Sequence, residues 1–355
     1  MLLTGCPRNR PQPAPPAGPR PSVALHVLVV NEPELAEAIN RLRGEWAERI
    51  GGELRTSAKS WQGVSDQEPT DADLIVFPSR YLGELCVRDW LRPVRSSVLE
   101  SDDLRAADYY PLVRHELISW GGQVMALPLG VEPAGIAGGT GDDPAIILLG
   151  EAAPDAVSKE RLGVLFDSES MKPRINEPPF VDALAQMVQS KAENGSVRSR
   201  GGPAVPVLGY SDRLIAVTNS SRNAATAFKL LEWLASPETS SQLARAGDGT
   251  MPVRRSLASS AAWYEPRLSA GERAERGKSL EAALDQSEFV LIPRIPGVDD
   301  YLAALDQAVK EAVSEGVAPR AALDKAAQRW EQITDARGRD DQRQAYLKHL
   351  GFGEP

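Results

Sequence analysis

The run Val23-Ala24-Leu25-His26-Val27-Leu28-Val29-Val30 decides how the chain is read. A short stretch of β-branched and aliphatic residues has the length and composition of a buried strand. Downstream, Leu35, Ala38, Ile39, Leu42, Trp46 and Ile50 recur at helical spacing. Pro33 suits the first turn of that helix and Gly51-Gly52 ends it. Glu53 to Ser57 reads as a second short strand. Asp73-Leu74-Ile75-Val76-Phe77 reads as a third, closed by Pro78, and Tyr81 to Trp90 as a short helix. Strand, helix, strand, helix in this order predicts a parallel α/β sheet with right-handed crossovers. Gln123 to Pro128 adds a strand after the Gly121-Gly122 turn.

Beyond it, residues 130–145 are rich in Gly and Pro and read as a connector. Gly138-Gly139-Thr140-Gly141 lacks the Lys-Ser/Thr of a phosphate loop, and Pro144 is expected to block an immediate helix. Ile146 to Leu149 and Leu162 to Phe166 are candidate strands, Phe180 to Lys191 a helix, and Val205 to Leu208 and Leu214 to Thr218 strands around a polar turn. The second half is mainly helical. Asn223 to Ala235, Tyr301 to Ser314 and Pro319 to Ile333 carry apolar stripes, and Ser236 is the N-cap of a helix that follows. Arg337 to Arg343 reads as charged and solvated. Trp46, Trp90 and Trp233 fall on apolar helix faces and are expected in the core, with Trp120 near a hairpin turn.

The chain has 355 residues with 42% hydrophobic and 25% charged side chains, a globular balance that suggests two domains. Its net charge of −9 excludes a general nucleic-acid binder, which needs a basic footprint. His26, His115 and His349 are too scattered for a histidine metal site. Cys6 and Cys86 form no CxxC pair, and Cys86 reads as a buried free thiol in a helix. No Gly-x-Ser-x-Gly elbow, His-Glu-x-x-His, Walker loop or GxGxxG after a strand is present. The expectation is therefore no enzyme, no cofactor and no metal.

Leu3-Thr4-Gly5-Cys6 resembles the lipobox of bacterial lipoproteins, in which the cysteine becomes the lipidated first residue. Seven prolines, Arg8, Arg10 and Arg20 follow in residues 7–21 without one acid, the composition of an extended spacer. A signal peptide has an apolar core of 7–15 residues before its cleavage site, and here only Leu2 and Leu3 precede it. The alternative is a polar cytosolic tail with a free thiol. An apolar segment upstream of Met1 would decide between the two.

Several segments together resemble the extracellular solute-binding proteins of ABC importers, in their sugar-binding, maltose-binding-protein-like branch. They are Asp73 to Tyr81, Trp120 to Gly130, Asn219 to Glu238, Gly249 to Arg254, Tyr301 to Asp306 and Ala321 to Trp330. The resemblance covers residues 23–335 with gaps. It implies a type II periplasmic-binding-protein fold, two α/β lobes joined by a hinge. The chain departs from the family's pattern after Leu129 and over residues 192–204, so the second lobe reads as reduced. The expected divisions are residues 1–21 as lipobox and tether and 22–129 plus 213–258 as first lobe. Residues 130–212 plus 259–335 form the second, and 336–355 a charged tail. The implied function is capture of a small polar solute, a carbohydrate, for a membrane ABC permease, outside the cytoplasm and anchored through lipidated Cys6. The rival readings are a degenerate scaffold serving as envelope adaptor or sensor subunit without a transport ligand, and a cytosolic hydrolase whose catalytic group is not found in the sequence.

Sugars need aromatic platforms for their C–H faces and planar polar groups for their hydroxyls. In open α/β sheets such sites lie beyond the carboxyl ends of the strands. The candidates are then Asn31 after the first strand, Trp61 after the second, Ser79, Arg80 and Tyr81 after the third, and Glu132 after the hinge strand. Tyr210 and Asp212 lie in the turn before the return strand, and Trp263 and Tyr264 are placed to reach the cleft. Structural alternatives stand beside them: an Asx cap at Asn31, an Arg80–Glu84 helix pair, an Asp212–Arg213 turn salt bridge, and ordinary packing for Tyr81.

Overall fold

The computed structural model describes residues 23–66, 71–132, 143–157, 163–197, 205–244, 250–264 and 268–353. Cys6, the proline-rich tether and the Gly138 loop lie outside them. The strands are β1 Ala24–Val30, β2 Glu53–Lys59, β3 Leu74–Pro78, β4 Ser119–Trp120, β5 Gln123–Val124, β6 Leu127–Gly130, β7 Val207–Leu208, β8 Arg213–Val217 and β9 Val290–Leu291. Five of them build the main sheet in the order β2-β1-β3-β8-β6. β1 runs parallel to β2 and β3, with Ala24 opposite Glu53 and Val27 opposite Leu74. β8 runs antiparallel to both β3 and β6.

Burial follows position in the sheet. Central β3 and β8 are buried at every residue, whereas edge strand β2 buries Leu54 and exposes Glu53 and Arg55. The parallel order expected for the first three strands is found. The expected strand from Gln123 to Pro128 is divided instead: Gln123–Val124 turns back on Ser119–Trp120, and Leu127–Gly130 enters the main sheet.

Other departures have local causes. The helix expected over 33–50 is two helices, Pro33–Arg41 and Arg43–Ile50, meeting at buried Leu42. Leu42 closes the first helix with a tight bond from its N–H to the Ile39 carbonyl, 3.0 Å. Ile146 to Leu149 is not a strand but part of the helix Pro144–Ala156. Pro144 starts that helix rather than blocking it, and the Asp143 carboxylate accepts the Ala145 N–H at 3.1 Å. All residues from Ala145 to Ala153 are buried, so the amphipathic period that marks a surface helix is missing. Leu162 lies outside the described residues, and 163–166 form no strand beyond one bridge from Phe166 to Pro173. Ser236 caps the helix Pro237–Leu243 as expected, accepting the Thr239 N–H at 3.3 Å.

The stretch read as solvated ends in structure. Gly338, at φ 87°, turns the chain into a helix over Arg339–His349 that buries Gln342, Ala345, Tyr346 and His349. Tyr346 joins Phe166, Tyr301 and Trp330 in one aromatic cluster with ring centres 4.8 to 5.4 Å apart. Trp46, Trp90, Trp120 and Trp233 are all buried. Cys86 is a free thiol, half-buried, and burial pushes its pKa to about 12.

Arg294 is fully buried and gives its guanidinium to the carbonyls of Leu117, Glu116 and Ser119. This cross-tie depends on Gly83. A Cβ there would sit 1.7 Å from the Arg294 carbonyl oxygen and 2.4 Å from the Trp120 ring. Gly83→Ala is expected to lower the unfolding free energy by about 1–3 kcal/mol or more, the cost of overpacking a rigid site. Urea unfolding checks this; an unchanged midpoint would mean that the contact relaxes freely. Among the described residues no helix is long and apolar enough to cross a membrane.

Candidate functional site

The loops that end β1, β2 and β3 come together. Asn31, at φ 64°, follows β1 and donates its N–H to the Lys59 carbonyl at 2.8 Å. Its side-chain oxygen accepts the N–H of Trp61 at 2.8 Å. Asn31 thus pins the β2 loop and the first N–H of the helix at Trp61, and does not cap the helix from Pro33, so the Asx-cap alternative is not found. Ser60 caps the short helix that carries Trp61. Pro78 ends β3 into a tight turn, Ser79–Tyr81, which aims two side chains at the same place.

Trp61 stacks on Tyr81 with ring centres 3.8 Å apart and planes 7° from parallel. The Arg80 guanidinium lies 4.6 Å from the centre of the Tyr81 ring and 4.9 Å from that of Tyr210. Asp299 holds the far side: it accepts the Tyr81 hydroxyl at 2.8 Å and Arg80 Nε at 3.1 Å. Arg80 also donates to the Tyr210 carbonyl at 3.1 Å. The alternative Arg80–Glu84 pair is not found, because Glu84 pairs with Arg88 at 2.7 Å. Burial and the neighbouring carboxylate push the Tyr81 hydroxyl to about 12, so it serves as a proton donor throughout the physiological range.

A cavity of about 510 Å³ opens beside this stack. Asn31, Trp61, Tyr81 and Arg88 form one wall, and Asp299, Asp300 and Arg337 stand on the other. Its lining is mostly polar. Both cations of the lining are already claimed, Arg88 by Glu84 and Arg337 by Asp300 at 2.9 Å; Arg80, expected at the site, is held by Asp299 and does not line the cavity. Carboxylate acceptors, the Asn31 and Gln62 amides and a half-buried indole are what it offers a guest. That set suits neutral hydroxylated molecules and disfavours anions. Among the described residues no group of three or more His, Cys, Asp or Glu is gathered as for a metal.

The other expected residues form a second network behind this wall. Asp212 is fully buried and accepts three hydrogen bonds, from the Ser79 hydroxyl at 3.0 Å, the Glu132 N–H at 2.9 Å and the Gly209 N–H at 2.7 Å. Ser79 is also wholly buried. Arg213 pairs with Glu32 rather than with Asp212, so no turn salt bridge forms. The Tyr210 hydroxyl donates to Asp143 at 2.7 Å. Neither Ser79, Glu132, Tyr210 nor Asp212 lines the cavity. Trp263 and Tyr264 do not reach it either; they pack with Ala244 in a satellite cluster. Asp299, Asp300 and Arg337 escaped the sequence reading because they lie at helix ends rather than after strands. The only local signal was Pro296-Gly297 before two acids in a first helical turn.

Burial, reinforced by the charges of Asp212 and Glu32, pushes Glu132 from 4.5 to about 7. A carboxyl whose folded pKa is raised disfavours its charged form in the native state. Its contribution is intact below about pH 4.5 and is lost as pH rises towards 7. Glu132→Gln is therefore expected to raise the thermal midpoint at pH 8 relative to the parent and to leave it nearly unchanged at pH 4.5. A difference independent of pH would contradict this.

No protein-family model matches the sequence, and no curated protein matches it. Solved structures do. The sugar-binding protein MalE from the phytopathogen Xanthomonas citri superposes with a TM-score of 0.64 at 14% identity, over 89% of this chain and 98% of that one. A cyclo/maltodextrin-binding protein complexed with maltotetraose gives 0.61 at 13%, over 90% and 99%. The fold is that of the maltodextrin-binding proteins. An ABC transporter solute-binding protein from Agrobacterium vitis S4 with bound D-mannitol has the same fold, with a TM-score of 0.58 at 15% identity over 89% and 99%. The expected α/β periplasmic-binding-protein architecture is thus present. Within it the main sheet is mixed, since β8 returns antiparallel from a distant part of the chain.

Proposed function

We propose that this protein is a solute-binding component of an ABC importer that captures a neutral polyhydroxy solute, a sugar or polyol, in the Trp61 cavity. The observation that carries this is the combination of one aromatic platform, Trp61 on Tyr81, with carboxylate and amide acceptors around a volume of about 510 Å³. The volume falls within the roughly 300–1,000 Å³ of small-molecule pockets. Proteins of the same fold are described with maltotetraose and with D-mannitol.

In this reading residues 22–129 plus 213–258 form the first lobe and 130–212 plus 259–335 a reduced second lobe. The solute lies between them, and contacts made only in the closed form shift the population towards closure. Asn31, Trp61 and Tyr81 contact the solute, and Arg80 holds Tyr81 and Asp299 in place. Ser79, Glu132, Tyr210 and Asp212 set the hinge. Calorimetric titration with neutral sugars, polyols, sugar acids and sugar phosphates tests the assignment. Saturable heat from a neutral member and none from the anions is expected. Silence across the neutral set would refute it.

Delivery to a membrane permease and anchoring through lipidated Cys6 belong to the same proposal. Their support is the lipobox-like Leu3-Thr4-Gly5-Cys6 followed by the proline-rich spacer. Expressed behind a lipoprotein signal, the chain should partition with membranes and carry acyl mass on Cys6, and Cys6→Ser should release it. Equal release of both forms would remove the anchor.

A further inference from the structure

A separate cavity of about 430 Å³ opens between the start of helix Pro144–Ala156, the end of helix Pro178–Asn194 and one side of helix Val298–Glu315. It shares no residue with the Trp61 cavity. Its floor is apolar, built on Val197, Val309 and Val313. Two lysines, Lys191 and Lys310, stand exposed at its rim.

Those lysines are unusual on so acidic a chain. Among the described residues neither faces a carboxylate: Lys191 donates only to the Gly195 carbonyl, at 3.1 Å. The nearby acids are engaged elsewhere. Glu311 turns to Lys325 at 2.6 Å, and Glu193 accepts from Gln189 at 2.7 Å. The one acid that lines the cavity is Asp306. Its carboxyl accepts the Ala145 N–H at 2.8 Å and is hydrogen-bonded to Asp143, and burial beside that carboxylate favours its protonated form. With its pKa raised to about 7 it carries less than a full charge at neutral pH, and two lysines stand against this one acid in the lining. Apolar depth binds an alkyl chain in proportion to the area covered, and two unpaired cations at the mouth select the sign of the head group.

We infer that this cavity is a second binding site, for an anionic amphiphile whose carboxylate sits between Lys191 and Lys310 and whose alkyl chain lies on Val197, Val309 and Val313. The proposal stands apart from the solute reading, since it uses none of the same residues.

The test titrates the full chain with dodecanoate below its micelle-forming concentration, and with dodecyltrimethylammonium, which keeps the tail and reverses the charge. Dodecanoate is expected to bind at one saturable site, about tenfold or more tighter than the cation. The double variant Lys191→Glu, Lys310→Glu should invert that preference and keep the thermal midpoint of the free protein. Trp61→Ala should leave dodecanoate binding unchanged. No saturable dodecanoate site, equal binding of both amphiphiles, or a preference that the lysine variant does not move would overturn the proposal.

Discussion

Asp212→Ala is expected to lower the unfolding free energy by about 3 kcal/mol or more, at about 1–3 kcal/mol for each buried donor left unpaired. The reason is accounting of donors. Asp212 is wholly buried, and three groups point at its carboxylate: the Ser79 hydroxyl and the N–H groups of Glu132 and Gly209. An alanine leaves all three unpaired where water enters poorly, and each such donor costs about 1–3 kcal/mol before relaxation. The damage should spread, because the three donors come from the end of β3, the end of β6 and the turn before β8. Asp212→Asn keeps one acceptor oxygen but turns an NH₂ towards the same donors, so an intermediate loss of about 1–3 kcal/mol is expected. Urea denaturation gives both values from the midpoint at constant slope. A loss below about 1 kcal/mol for the alanine variant would show that the network does not hold the strand ends.

The second large effect concerns the cavity itself. With Trp61 as the platform for the solute, Trp61→Ala should weaken binding by about 2–4 kcal/mol, or about 30-fold and upward, as for a buried aromatic anchor. The loss has two parts. The indole surface that meets the C–H face disappears, and Tyr81 loses the ring stacked on it at 3.8 Å. Trp61→Phe retains part of both and should fall between. Stability should change little, because Trp61 is only half-buried and begins a helix of five residues. A fall in thermal midpoint as large as that of Asp212→Ala, with affinity preserved, would make Trp61 a packing residue instead.

Much of this architecture was legible from local pattern. β1, β3 and β8 announce themselves as short aliphatic runs because both their faces are covered, and the capped helix after Ser236 was readable from one serine and one proline. The same blindness to faces misled over Ile146 to Leu149, where a helix buried all round has no period to betray it. The Arg337 to Arg343 stretch looked solvated because its charges outnumber its apolar residues. Within it only Gln342 is buried; the burial of Ala345, Tyr346 and His349 begins beyond that stretch, in the same helix. For the cavity, the rule that ligands gather beyond strand ends pointed to Asn31, Trp61 and Tyr81, which line it. It also drew in Ser79 and Asp212, which sit at strand ends but face inward. Asp299, Asp300 and Arg337 come from helix ends more than 200 residues away from the strands they face, a juxtaposition that only the fold creates.

Capture of a neutral solute on Trp61 can be read most directly from the indole N–H resonance of that residue, assigned by its disappearance in Trp61→Phe. During titration with the sugar or polyol that gives calorimetric heat, this signal should move and saturate with the same affinity, while those of fully buried Trp46 and Trp330 stay in place. A saturating solute that leaves the Trp61 signal where it began would contradict the assignment of this cavity as the binding site.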